Sequence, residues 1–250
     1  MKFRIATWNL DHASNKSRPI GPQIEQIRSI DADVWVLTET CDKVDLSAAG
    51  YQSATPSRRN KYKNFWTTAW GRPPFSTGKN IATHDDETVT CVEVETPKGP
   101  LILYGTILTW RNDRGSRGTS RAWVEHHKAI HAHGDDWIRL RALHPGQPFI
   151  VAGDFNQTRD GSRKYCSTDS VEMLTAQLER NDLVCVTEED FGKAGKLGID
   201  PKKGYYRHNV DHICLTSSLQ ALSIGAWDHF SAEHELSDHN GVFADVVWRP

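Results

Sequence analysis

Seven polar side chains stand where apolar stretches of this chain run out: Asn9, Glu39, Asp154, Asn156, Asp211, Asp238 and His239. Carboxylates, carboxamides and an imidazole are the groups that take a proton from water and steady the charge that develops when water attacks. In Gly-Asp-Phe-Asn, at 153–156, the two polar side chains lie two apart, so an extended backbone projects them from one face. One can accept a proton while the other orients the attacking water. Taken singly, each residue has a plainer reading, because Asp and Asn favour turns and caps and Glu is common on surfaces. The combination is what points to chemistry.

Side chains at strand ends are held by the interior of a sheet and still meet solvent. Apolar runs at 3–8, 34–38, 101–108, 149–152 and 210–215 read as buried strands, each ending in polar residues. The stretch 88–95 is a weaker strand, with Val89 and Cys91 on one face and Val92 and Val94 on the other, which calls for a bulge or burial on both sides. Pro97, Lys98 and Gly99 would turn it back onto the 101–108 strand as a hairpin. Helices are expected at 23–30, opened by Pro22, at 120–142, and at 170–180, with Thr168 and Asp169 as candidate caps. Strands and helices intermix without a linker or repeat, so residues 1–250 are expected to form one α/β domain.

Composition sets the outer bounds. An apolar fraction of 38% and a charged fraction of 25% over 250 residues allow a sizeable core. The formal charge of −2, from 30 Lys plus Arg against 32 Asp plus Glu, gives no global attraction to nucleic acid or an anionic membrane, so a polyanion would have to meet a local patch. No apolar run has membrane-spanning length and the N-terminus lacks a signal-peptide segment, which makes a cytoplasmic location the expectation. Five scattered cysteines (Cys41, Cys91, Cys166, Cys185 and Cys214) fit neither a disulfide framework nor a zinc site, and read as reduced and mostly buried.

Five short motifs, Thr-Trp-Asn-Leu-Asp (7–11), Leu-Thr-Glu (37–39), Gly-Asp-Phe-Asn (153–156), Val-Asp-His-Ile (210–213) and Ser-Asp-His (237–239), resemble in order and spacing those of the endonuclease/exonuclease/phosphatase superfamily. The resemblance spans Asn9 to His239. It implies an α/β, four-layered sandwich of two mixed β-sheets flanked by helices, with the site at one edge, and Mg²⁺- or Mn²⁺-dependent hydrolysis of a phosphate ester. Glu39 would then be the principal ligand of the ion, since hard cations choose carboxylate oxygen, with Asp11 and Asp238 as supporting carboxylates. Asp154 would activate the water, and Asn156 and Asn9 would donate to it or to the phosphate. His239 would donate to the phosphate, with Asp211 fixing its tautomer and favouring its charged form.

One departure matters. Many relatives carry a second His in an Asn-Thr-His-Leu-like stretch, where this chain has Gly105-Thr106-Ile107-Leu108. Ile107 stands where that His is expected, and Tyr104 is the nearest tyrosine, so protonation of the leaving group is left without an assigned residue.

The substrate is less determined. Trp110, Arg111, Arg114, Arg117 and Arg121 crowd one loop, and residues 58–63 are a second basic stretch followed by Phe65 and Trp66. Arg forks suit phosphate and Trp suits base stacking, although solvated loops would look the same. His127 and His131 on the 120–142 helix have metal-chelating spacing, but a polar helix face explains them more simply. The leading expectation is a nuclease; the alternatives are a phosphatase or phosphodiesterase for a small molecule or lipid headgroup, and an inactive binding module of the same fold.

Overall fold

The computed structural model describes residues 1–12, 18–61 and 64–249. In chain order its elements are β1 (Lys2–Asn9), α1 (Ile20–Ile30), β2 (Val34–Thr40), β3 (Ser53–Pro56), β4 (Phe65–Gly71), β5 (Ser76–Asn80), β6 (Thr90–Glu95), β7 (Leu101–Ile107), α2 (Val124–Leu143), β8 (Phe149–Asp154), α3 (Thr168–Arg180), β9 (Leu183–Cys185), β10 (Asp211–Thr216), β11 (Leu219–Trp227) and β12 (Gly241–Trp248). They form two six-stranded sheets, ordered β11-β12-β1-β2-β4-β3 and β5-β6-β7-β8-β10-β9. Both are mixed, because β1 with β2 and β7 with β8 run parallel while their other neighbours are antiparallel.

The sheets pack face to face. Ile5, Val34, Val36 and Val242 from one sheet meet Val92, Leu103, Ile150 and Ile213 from the other in one buried cluster. The outer faces are covered as well: Ile27 of α1 packs with Trp8, Trp35 and Leu37, while Ile130, Trp137, Leu174 and Leu178 of α2 and α3 pack with Tyr104, Phe149 and Val151. Four layers result. Strands buried on both faces must be apolar at successive positions, which is why the central ones read as unbroken runs. The same burial accounts for β6: Cys91 joins the outer cluster and Val92 and Val94 the inner one, while β6 pairs with β7 without a register shift.

Three local expectations are corrected. α1 begins at Ile20, so Pro22 sits inside the first turn, where its missing N–H costs nothing. α2 begins at Val124 rather than near Ser120, because Trp123 adopts a left-handed backbone, φ 71°, and its N–H bonds the Arg111 carbonyl at 2.8 Å. α3 is capped by Ser167, whose side chain accepts from Ser170 N while Ser170 Oγ accepts from Ser167 N, instead of by Thr168 or Asp169. Strands β3, β4, β5, β9, β11 and β12 were not expected from apolar pattern. β5 and β11 are edge strands with exposed positions, so their sequences carry little apolar signal.

Of the α2 histidines, His126 and His133 are buried under the sheet, bonding Thr109 O (2.5 Å) and Thr106 Oγ1 (2.9 Å) through Nδ1. His127 contacts Ser167 Oγ and His131 contacts Gln177 on α3. These are helix-packing contacts. Among the described residues no helix is long and apolar enough to cross a membrane.

Two stability predictions follow from this packing. Gly153, beside Asp154, has φ +142°, and a Cβ there would lie 1.9 Å from Thr106 O on the neighbouring strand. Gly153→Ala should cost roughly 3 kcal/mol or more and lower Tm by roughly 10 °C in a thermal melt. Burial pushes His133 down from 6.5 to about 4, despite nearby Asp85 and Asp136. Because the folded value is depressed, the unfolded chain takes the proton first, so stability is fully present above pH 6.5 and is lost as pH falls toward 4. Urea unfolding of wild type and His133→Gln across that window should differ in slope, with up to about 3 kcal/mol of acid-linked loss missing in the variant.

Candidate active site

The parallel and antiparallel ladders bring the expected residues to one edge of the sandwich. Asn9 ends β1, Glu39 lies in the last turn of pleat of the adjacent parallel β2, and Asp154 ends β8 directly opposite Asp211, which starts β10. Asp238 and His239 come from the connection into β12, the antiparallel neighbour of β1. Hydrogen bonds then join the two sheets. Asn9 Nδ2 donates to Glu39 Oε1 and to Asp154 Oδ2, both at 3.1 Å. Asn156 donates its backbone N–H to Asp154 Oδ1 and its Nδ2 to Asp154 Oδ2, each at 2.8 Å, and also reaches Leu108 O. His239 Nδ1 lies 2.7 Å from Asp211 Oδ2 and 4.0 Å from Asp154 Oδ1.

The backbone is bent to make this possible. Asp11, His12, Glu39 and Asn156 all have φ between 48° and 52°, a left-handed conformation that disfavours side chains and here concentrates at strand ends facing the site. Ser237 closes the arrangement from beneath: its Oγ donates to Asn9 O at 2.6 Å and accepts from His239 N at 3.0 Å, and Trp8 Nε1 holds His239 O at 2.8 Å.

Electrostatics follow from burial. Burial drives the Asp154 carboxyl up to about 7, with His239 opposing the rise and Asp211 adding to it. Burial works against a charged His239 too, yet the Asp154 and Asp211 charges hold its imidazolium well above the ordinary histidine value. One positive charge thus lies between two dry carboxylates, so the second carboxylate can bind a proton near neutrality. At Glu39 burial also favours protonation, but His12, 2.9 Å away, together with Asn9 holds the carboxyl below its usual value.

These groups floor a cleft of about 640 Å³. Glu39, Asp154, Asn156, Asp238 and His239 line it, as does Ile107, opposite Asp154 in the β7–β8 ladder. Asp11 does not; its carboxylate is engaged by Arg18, which also reaches Glu235. Trp110 lines the cleft, whereas Arg111, Arg114 and Arg117 are exposed outside its lining. Arg58 and Arg59 pair with Asp86, Glu87 and Asp42, and Tyr62 and Lys63 fall outside the described residues. His12 escaped the sequence reading, as did Lys164, Tyr165, Lys203, Tyr205, Arg207 and His208 on the cleft wall. The run 203–208, basic and aromatic and just ahead of the Val-Asp-His-Ile motif, was the signal that could have found four of them.

The donor set suits a hard divalent cation. Its carboxylates are oxygen ligands and outnumber the cationic partners His12, Arg18 and His239, and Asp211 Oδ1 is buried without a hydrogen-bond partner among the described residues. Ligand atoms of Asp154, Asp211 and His239 lie within 4.8 Å of one another.

Ser237 is fully buried and bonds two strand-end loops, so Ser237→Ala should leave Asn9 O and His239 N unsatisfied. Denaturant titration should show a loss of about 1–3 kcal/mol. An unchanged midpoint would mean that Ser237 does not hold these loops together.

Comparison with known proteins agrees with this architecture. The Endonuclease/Exonuclease/phosphatase family matches residues 6–239. A Bacteroides vulgatus endonuclease/exonuclease/phosphatase superposes with TM-score 0.69 at 16% identity, covering 100% of both chains. The human Nocturnin catalytic domain, solved with bound sulfate, gives TM-score 0.67 at 19% identity over 99% of this chain and 94% of that one. The endonuclease domain of TRAS1, a telomere-specific non-LTR retrotransposon, gives 0.66 at 15% identity over 100% of both. No curated protein matches the sequence. With the family match running through all five motifs and the fold shared along the whole chain, this protein belongs to the endonuclease/exonuclease/phosphatase family, whose members hydrolyse phosphoester bonds.

Proposed function

We propose that the chain is a divalent-metal-dependent phosphodiesterase that cleaves nucleic acid. The observation that carries this reading is the make-up of the cleft, where a carboxylate and imidazole floor is walled by Trp66, Trp110, Tyr165 and Tyr205 and by Lys164, Lys203 and Arg207. Aromatic faces accept bases and cations meet the phosphates on either side of a scissile bond, which supplies locally what a net charge of −2 does not.

Glu39 and Asp238 are the residues we assign to a Mg²⁺ or Mn²⁺ ion, with Asp11 in support from behind Arg18. When bound, the ion would neutralise charge on the phosphoryl oxygens. The chain's own groups do the rest. Asp154, with a value of about 7, takes the proton of the attacking water. Asn9 and Asn156 fix both of its oxygens, so its orientation does not depend on solvent. His239 meets the negative charge that accumulates on phosphorus-bound oxygen, and Asp211 holds the ring so that Nε2 is the nitrogen turned to the substrate.

Hydrolysis should be followed on a labelled panel of plain duplex, abasic duplex, single-stranded DNA, RNA and small phosphomonoesters, with Mg²⁺, Mn²⁺ or chelator. Metal-dependent nucleic-acid cleavage is expected, with Asp154→Ala and His239→Gln each reduced by at least about 100-fold while their melting curves show a folded protein. Phosphate release from small esters alone would assign the cleft to a small-molecule substrate. Wild-type turnover in His239→Gln would remove that residue from the mechanism.

A further inference from the structure

With Ile107 on the cleft floor, the leaving oxygen lacks a donor from β7. The other cleft groups narrow the choice. His12 gives Nε2 to Glu39, His239 is already assigned to the phosphoryl oxygen, and burial pushes the Tyr165 phenol above its ordinary value. Lys164, Lys203 and Arg207 are already assigned to the phosphates on either side of the scissile bond.

His208 is different. It lines the same cleft, and its Nδ1 lies 2.7 Å from Asp160 Oδ2, repeating the 2.7 Å contact of His239 Nδ1 with Asp211. The Asp160 side chain is only 4% exposed, and its other oxygen accepts the Ser162 N–H. The ring is therefore held from one side, and Nε2 has no protein partner among the described residues. Asp190 closes the group, but Lys193 and Tyr206 engage its carboxylate, so the cluster is balanced by its own ion pairs.

Position supports reach. β8 and β10 pair at Asp154 and Asp211, and the ladder continues one step outward through Phe155 N to Val210 O. His208 lies three residues before Asp211 on this continuation, about 10 Å of extended chain at ~3.3 Å per residue. It lines the same cleft as Asp154, Ile107 and His239.

We propose that His208, positioned by Asp160, protonates the leaving oxygen and takes the part left open by Ile107. This rests on the phosphodiesterase reading. As water attacks, its oxygen forms the new P–O bond and its proton goes to Asp154; the bond from phosphorus to the leaving oxygen breaks, and that oxygen receives the Nε2 proton of the His208 imidazolium, whose Nδ1–H stays with Asp160. Solvent then returns the proton to His208 and removes the one on Asp154.

The test compares two metal-supported diester substrates. One releases a nucleoside hydroxyl, a poor leaving group that needs a proton; the other releases 4-nitrophenolate, which leaves without one. His208→Ala should slow the first by about 100-fold and the second by less than about threefold, and Asp160→Asn should show the same split with a smaller loss. Turnover of the nitrophenyl ester also reports that each variant is folded. Equal loss on both substrates, or no loss on either, would overturn the proposal. If wild type hydrolysed neither diester, the phosphodiesterase reading would fall first.

Discussion

Two carboxylates, Asp154 and Asp211, sit opposite each other in an antiparallel ladder, both essentially without solvent contact, with one imidazole between them. Removing carboxylates from water is costly, and two dry ones side by side repel. The arrangement holds because His239 supplies positive charge and because Asn9, Asn156 and the Asn156 backbone N–H donate to Asp154. Every other feature of the edge can be understood as keeping these donors in place.

The sandwich is what makes such placement affordable. Central strands buried on both faces cannot shift register without exposing one apolar set and burying polar groups, so the ends of β1, β2, β8 and β10 are fixed relative to one another. Gly153 lets β8 approach β7 closely just before Asp154, where a Cβ would strike Thr106 O. Residues at the strand ends take left-handed backbones at Asp11, Glu39 and Asn156, and the rigid sheets behind them sustain that strain.

Around the fixed floor the wall is assembled from loops that are distant in sequence. His12 follows β1, Trp66 is the second residue of β4, Trp110 follows β7, Tyr165 precedes α3 and the 203–208 run precedes β10. A floor of strand-end side chains with a wall built this way separates the chemistry, set by strand ends, from selection of substrate, set by loops. The Asp160 and His208 pair belongs to the wall by position yet has the form of the floor's own Asp211 and His239 pair.

The amino-acid sequence alone determined the elements whose signal is local and strong. Runs such as 34–38 and 149–152 must be buried on both sides, and polar motifs at their ends had to share a site once their order matched a family. Edge strands β5 and β11 carried no such signal, because a strand with one exposed face and few neighbours tolerates polar residues. Only the tertiary structure decided which charged side chains face the cleft. Arg111, Arg114 and Arg117, which suited phosphate or a solvated loop equally, lie outside its lining, whereas Asp160 and His208, 48 residues apart, meet at 2.7 Å. Contacts of that kind depend on how β8 and β10 pair and where their loops then turn, and pairing between distant strands is encoded by the whole core and not by the residues that touch.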